Sequence, residues 1–371
     1  MTDRRPARLA ALAESLRRAN LDGLLVTGLA NIQYLTGFSG SSALLVVTQG
    51  ETLLITDFRY ETQVRDEVGD LARIGIDRQS LWSALWRMLA EMGKLDVMGF
   101  ESAHMVQRDF ERLSDGGARW KWRSTSDLVE ALRERKDADE IGLIEQAVGV
   151  AERALGRTVS SVRAGMTELQ VAGILEHALR DEGSEGFPFP TIVASGPRSA
   201  LPHARSSRRQ TGRGEFLLID FGAVVGGYCA DITRTFILGP ANSEQREAHD
   251  VVKGANERAS REVRAGMLGK DADALARSYI EERGQGDRFG HSLGHGIGLE
   301  VHEAPRLART AEGVLPAGAV VTIEPGVYRE GWGGVRIEDN VVLEAGSGGG
   351  GGGGGGARCL TSFSRELLEI A

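Results

Sequence analysis

Four carboxylates sit inside apolar, strand-like runs: Asp220 in LLID, Asp231 in CADIT, Glu324 in VTIE and Glu338 in VRIE. A charge taken out of water in such a run is costly unless something pairs with it. These positions therefore constrain the fold more than any other feature of the chain. Asp220 and Asp231 lie on the two arms of EFLLIDFGAVVGGYCADITRTF (215–236), and a turn near Val225–Gly227 would set them opposite each other on one face. Glu324 and Glu338 repeat the arrangement in AVVTIEPG (319–326) and GVRIEDNVVLE (334–344), around a turn at Gly331–Gly334. Like charges so placed repel unless a cation lies between them. A salt bridge to Arg234 or Arg336 would account for one such acid, but not for four in two matching strand pairs.

The stretch His291–Glu303, HSLGHGIGLEVHE, holds three of the seven histidines. Gly294, Gly296 and Gly298 lie between them, and each costs about 1 kcal/mol against alanine in a helix interior. The arrangement is thus not the helical one in which two histidines one turn apart bind zinc. His291, His295 and His302 instead project from a loop and the strand after it. Four carboxylates and one imidazole make a poor structural zinc site, which prefers sulfur and nitrogen. They suit a pair of borderline-hard divalent ions of the Mn²⁺ or Co²⁺ class. Such a pair activates a shared water and clamps a hydrolytic transition state.

At 371 residues the chain is long for one domain, and two are expected. A formal charge of −8 argues against a nucleic-acid backbone as the main partner. Cys229 and Cys359 make neither a disulfide framework nor a CxxC metal site, which fits a cytoplasmic location. The first twenty residues carry Glu14, Arg17 and Arg18 in a helical pattern, so they offer no continuous apolar export segment. No uncharged apolar run approaches about 18 residues, so no membrane span is expected.

Strand-like LLVTG, SALLVVT and TLLITD alternate with helical patterns over residues 1–133, which reads as an α/β domain without titratable clusters. A charged helical segment, 126–155, looks like the joint, and residues 134–371 form the second domain. There, helices followed by a strand pair occur twice, which hints at an internal duplication. Gly348–Gly356 is a run of nine glycines, expected as a flexible loop.

The motifs together resemble the proline-directed pita-bread metallopeptidases, Xaa-Pro dipeptidase (prolidase) and aminopeptidase P. All five ligand positions occur in order: Asp220 in LLIDFG, Asp231 in ADITRTF, His295 in GHGIGLEVHE, Glu324 in IEPG and Glu338 in RIEDN. The resemblance spans the chain and implies an α/β two-domain protein. Residues 1–133 would be a creatinase-like N-terminal domain, and 134–371 a pita-bread α+β catalytic domain. It implies two divalent ions per chain, Mn²⁺ foremost with Co²⁺ or Zn²⁺ as alternatives, bridged by Asp231 and Glu338. Glu324 would also carry protons, His203 (in ASGPRSALPH) and His302 would bind the scissile carbonyl and its oxyanion, and His291 would line the proline-side pocket. Arg336 resembles an arginine that orients the metal carboxylates. Arg306, in HEAPRL, is similar in placement to a prolidase arginine and tips the expectation to Xaa-Pro dipeptidase over aminopeptidase P. A non-catalytic peptide-binding module on this scaffold would have lost ligands, and this chain keeps all five. The expected partners are small peptides with proline in second position and a second copy of the chain, as a homodimer.

Overall fold

One acid decides where the charged joint of the chain breaks. Asp137 accepts from the backbone N–H of Asp139 and Glu140, while the Glu140 carboxylate accepts from Asp137 N. Such a reciprocal cap starts a helix, so the stretch 126–155 is not one helix, as its charge pattern suggests, but parts of two. These are Glu130–Arg133 and Ala138–Ser161. In the computed structural model, residues 3–346 and 355–370 are described. The chain divides there into the units Met1–Arg133 and Glu134–Ala371. The expectation of a flexible glycine loop falls at 348–354 outside the described residues.

The first unit runs α1 (Arg5–Arg18), β1 (Gly23–Val26), α2 (Leu29–Thr36), β2 (Ala43–Thr48), β3 (Thr52–Asp57) and α3 (Glu61–Val68). It continues with β4 (Arg73–Asp77), α4 (Leu81–Leu89), β5 (Val97–Glu101), α5 (Gln107–Gly116), β6 (Lys121–Thr125) and α6 (Glu130–Arg133). Its strands form one mixed sheet in the order β4-β3-β2-β1-β5-β6. Leu25, Val46, Leu53, Ile55 and Met98 from that sheet pack with Leu85 and Leu89 of α4. Glu101, at the end of β5, is buried and accepts from Thr27 N (2.7 Å), Gly28 N (2.8 Å) and Asn31 Nδ2 (2.6 Å). It thereby satisfies backbone donors at the start of α2, which has no capping side chain of its own.

The second unit opens with α7 (Ala138–Ser161), α8 (Glu168–Asp181), β7 (Ile192–Ser195), β8 (Glu215–Phe221), β9 (Val224–Val225), β10 (Tyr228–Cys229) and β11 (Ile232–Leu238). Then come α9 (Ser243–Glu262), α10 (Gly269–Glu281), β12 (Gly294–Gly296), β13 (Glu303–Leu307) and β14 (Val320–Ile323). The last elements are β15 (Gly326–Arg329), β16 (Gly333–Arg336), β17 (Asp339–Leu343), β18 (Ala357–Cys359) and β19 (Glu369–Ile370). Capping boxes also start α8, at Thr167 and Gln170, and α9, at Asn242 and Gln245. Each helix pair backs a sheet. Ile144, Ala147 and Ala151 of α7, with Leu175 and Leu179 of α8, cover Val193, Leu217 and Ile219 of the sheet β19-β11-β8-β7. Val252 and Ala255 of α9, with Ala276 and Ile280 of α10, cover Val321, Ile323 and Val341 of the sheet β13-β12-β14-β17-β18. Strand alternation turns Asp220 to the face of β8 opposite Ile219, away from the helices. Among the described residues no helix is long and apolar enough to cross a membrane.

Candidate metal centre and active site

Strand register places the acids. Gly226 and Gly227 both have positive φ (58° and 80°) and form the two-residue turn that right-twisted hairpins favour. Counting back from that turn, Asp220 meets Thr233 and Phe221 meets Ile232. Asp231 lies two residues before Thr233, so the two aspartates are diagonal neighbours on one face rather than directly opposite. The glutamates do face each other. Gly326 pairs with Arg336 in the β15–β16 hairpin and Ile323 with Asp339 in β14–β17. The same register runs through both ladders, and Glu324 and Glu338 stand across from one another at the break between them. Asn256 of α9 caps that break, donating to Ile323 O (2.9 Å) and Ile337 O (3.2 Å).

Neighbouring side chains then aim the carboxylates. Glu338 N donates to Thr233 O, and the Thr233 hydroxyl donates to Glu338 Oε2 (2.7 Å). Arg336 Nε donates to the same hydroxyl (3.1 Å), Nη2 to Asp220 Oδ2, and Nη1 to Tyr328 Oη (2.9 Å). Tyr328 Oη in turn lies 2.9 Å from His291 Nε2, and His291 Nδ1 lies 2.8 Å from Ser292 O. A carbonyl can only accept, so Nδ1 carries the proton and Nε2 accepts from the tyrosine. One buried guanidinium thus connects an acid of the cluster with the wall formed by His291. Arg234 is spent elsewhere, on Asp339 Oδ1 (2.7 Å) and nearby carbonyls.

His295, on β12, has Nδ1 at 3.0 Å from Gly296 O, which fixes the proton on Nδ1 and leaves the Nε2 lone pair facing the acids. Nε2 lies 3.5 Å from Glu324 Oε1 and 3.9 Å from Asp231 Oδ2. Ligand atoms of Asp231, His295 and Glu338 all fall within 4.8 Å of one another. Burial lowers the His295 pKa to about 4, so the ring is neutral near pH 7. Burial, then the charges of Glu338, Asp220 and Glu324, raises the Asp231 carboxyl well above the usual range. Glu324 is raised in the same way, by burial and then Glu338, and Glu338 is raised to about 8 by burial and then Asp220.

A cavity of about 940 Å³ opens over this cluster. His203, His291, His302, Arg306 and Arg336 line it together with Asp220, Asp231, His295, Glu324 and Glu338. The geometry therefore brings together every candidate site residue named from the sequence. Arg306 pairs across the β12–β13 ladder with His295, and directly paired residues share a sheet face. Its side chain is exposed. His302 stacks edgewise on His295, with centroids 4.4 Å apart, and burial lowers its pKa. The turn that carries it is held by a buried ion pair, Lys136 Nζ to Glu303 Oε2 at 3.0 Å.

The donor set fits a pair of divalent cations. Asp220 Oδ1 and Asp231 Oδ1 are buried and have no hydrogen-bond partner among the described residues. A buried carboxylate oxygen left so is costly, and a hard cation is the partner that carboxylates and one neutral imidazole select. Thr233, Tyr328, Asn256 and Lys136 escaped the sequence reading. Thr233 and Tyr328 had a signal, since strand alternation puts them on the faces of Asp231 and Glu324. Asn256 and Lys136 act across long sequence separations and had none.

Residues 142–345 match the model of metallopeptidase family M24, and residues 8–135 match that of the creatinase/prolidase N-terminal domain. An Xaa-Pro dipeptidase of Pyrococcus furiosus is 35% identical over 363 residues, covering 97% of this chain and 99% of its own. An Xaa-Pro dipeptidase from Bacillus anthracis superposes with a TM-score of 0.93 at 35% identity, over 99% of this chain and 100% of the other. An X-Pro aminopeptidase from Thermotoga maritima gives 0.89 at 38% identity, over 98% and 99%.

Proposed function

The chain belongs to metallopeptidase family M24, and from that premise we propose that it is an Xaa-Pro dipeptidase, cleaving the bond before proline in small peptides. The observation that carries this is the buried cluster of four carboxylates and one neutral imidazole, two of its oxygens without a partner among the described residues, under a cavity lined by three further histidines and by arginines that include Arg306 and Arg336. Asp220, Asp231, His295, Glu324 and Glu338 would hold two divalent ions, Mn²⁺ in this reading. When bound, such ions supply an activated water near neutral pH and positive charge for the transition state.

The chain's own residues supply the rest. Glu324 takes a proton from the attacking water and returns it to the proline nitrogen as the bond breaks. His203 and His302 donate to the carbonyl oxygen as charge develops on it. His291, with both ring nitrogens engaged, offers the proline ring a wall that does not compete for hydrogen bonds. Arg306 meets the C-terminal carboxylate of the dipeptide. The reading keeps a cytoplasmic location and a homodimer, which fractionation and sedimentation test.

The identity to an X-Pro aminopeptidase supports a second reading, release of the residue before proline from longer peptides. Arg306 separates the two. A charge-assisted bond contributes about 1.5–3 kcal/mol, so Arg306→Ala is expected to lower kcat/KM on Ala-Pro roughly tenfold to a hundredfold. Ala-Pro-amide, without the charge, should suffer much less. Equal losses reject carboxylate recognition by this residue, and a wild-type preference for Ala-Pro-Ala turns the assignment to the aminopeptidase.

A further inference from the structure

The loop carrying His203 has an anchor outside the active site. Glu168 is the first residue of α8, and its side chain is wholly buried. Its Oε1 accepts from Ser195 N and Ser195 Oγ, both at 2.9 Å. Its Oε2 accepts from Ser207 N (3.0 Å) and Ser207 Oγ (2.6 Å). Arg198 Nε is shared between the two oxygens at 3.3 and 3.1 Å. Ser195 closes β7, Arg198 lies in the 3₁₀ turn Gly196–Ala200, and Ser207 follows His203 by four residues. One carboxylate therefore holds the point where the chain leaves the sheet, the first turn of the loop and the point where it returns.

His203 itself makes no side-chain hydrogen bond or ion pair among the described residues, and it is exposed to the cavity. Its position is set through the backbone alone. Midway along the loop two contacts tie it to the metal-side hairpin: Gly334 N donates to Ser199 Oγ (2.8 Å) and Arg336 Nη1 to Pro202 O (3.2 Å). The approach is so close that a Cβ on Gly334 would lie 2.4 Å from Ser199 O. Arg198 Nη2 also donates to Arg205 O, across the loop. With both ends held by Glu168 and the middle tied to the site at Ser199 and Pro202, the stretch that carries His203 has little freedom.

We propose that Glu168 is a positioning residue: its carboxylate clamps both ends of the 196–206 loop and so holds His203 over the reacting carbonyl. The proposal rests on the role given to His203 in the dipeptidase reading. Glu168 does not line the cavity and its carboxylate bonds to Ser195, Arg198 and Ser207 rather than to the metal cluster, so its effect has to pass through the loop. Replacing it with glutamine keeps the size but turns two donors toward serine donors, and one end of the loop is released.

Glu168→Gln, His203→Ala and the double variant test this on Mn²⁺-loaded protein, with hydrogen exchange of metal-free protein beside the kinetics. Glu168→Gln is expected to lower kcat on Ala-Pro about tenfold with KM within about threefold, and to add no further loss in the His203→Ala background. The amides of 198–201 and 203–206 should exchange at least tenfold faster, while those of β8 and β11 stay protected. An equal kcat loss in both backgrounds, or unchanged exchange of the loop, overturns the proposal. Ser207→Ala removes one donor to Glu168 together with the acceptor of Arg209 N, should show the same pattern at smaller size, and decides the matter if Glu168→Gln does not fold. Wild-type protein inactive on Ala-Pro would sink the dipeptidase reading, while the exchange experiment would still decide whether Glu168 anchors the loop.

Discussion

Glu101 in the first unit and Asp231 in the second face the same physical problem, a carboxylate taken out of water beside a strand end. The first is solved by the protein. Two backbone N–H groups and the Asn31 amide meet its oxygens, and Arg133 and Glu130 in turn hold Asn31. Asp231 has no such shell: Oδ1 has no partner among the described residues, and the charges that act on it most are those of Glu338, Asp220 and Glu324, with Arg336 opposing. Burial raises both carboxyls and like charge adds to each, but at Glu101 the hydrogen bonds from Gly28, Thr27 and Asn31 outweigh the charge of Glu130, whereas at Asp231 the charges of Glu338, Asp220 and Glu324 follow directly on burial. A buried acid whose lone pairs are filled by donors is a structural part. One whose lone pairs are empty, among others of its kind, is built for something that arrives from outside.

The comparison breaks most visibly at Asp231. Asn is nearly isosteric with Asp and brings no charge into a cluster of acids, so Asp231→Asn should leave the metal-free fold at least as stable as wild type. Bound metal should fall to one ion per chain or fewer, and kcat should drop by on the order of 10³, the scale of losing a main charge-stabilising group. Elemental analysis and calorimetry check the first two. Two ions bound with wild-type turnover would mean that the empty lone pairs do not mark a ligand site.

That contrast also shows what can be read before any coordinates. The acids were legible because a carboxylate in an apolar strand run is anomalous on its face, and two such runs joined by a glycine turn fix their partners by counting. The count put Glu324 opposite Glu338. It missed by two for Asp220 and Asp231, because the turn centre is Gly226–Gly227 and Asp220 meets Thr233. Glu101 was invisible: VMGFES looks like any strand end, and its partners are about seventy residues away. The helix expected across 126–155 failed for a related reason, since a cap such as Asp137 looks like one more charge until its hydrogen bonds are seen. Glu168 follows the capping threonine of α8 and carries no periodic signal at all. Pattern reveals what is odd about a residue in its own segment. It does not reveal what folds back onto it.

Removing the other half of the comparison should cost stability and nothing else. Glu101→Ala leaves Thr27 N and Gly28 N without their acceptor in a buried site, at about 1–3 kcal/mol for each unsatisfied group. The first unit is expected to lose about 3 kcal/mol against urea, with metal content and kcat of the surviving folded protein unchanged. A loss of metal alongside the stability would show that this network reaches the site.

His249 sharpens the distinction, because an unfilled atom by itself does not make a site. It lies on α9, almost wholly buried, and its Nδ1 lacks a partner among the described residues. The charges that bear on it come from Asp250 and Lys253 of its own helix and from Glu366 and Arg234, and among the described residues no cluster of ligand atoms surrounds it. Burial lowers its pKa to about 4 from an ordinary 6.5. Between those values the unfolded chain binds a proton that the folded chain refuses. The stability tied to this ring is therefore complete above pH 6.5 and is lost as the pH falls, by about 2 kcal/mol at pH 5. Glutamine cannot titrate, so in metal-stripped protein the fall in unfolding free energy from pH 7.5 to 5 should be about 2 kcal/mol smaller for His249→Gln than for wild type. The acids of the metal cluster titrate alike in both proteins and cancel in the difference. Equal falls in the two would mean that the ring protonates freely in the fold, and that burial alone does not hold it neutral.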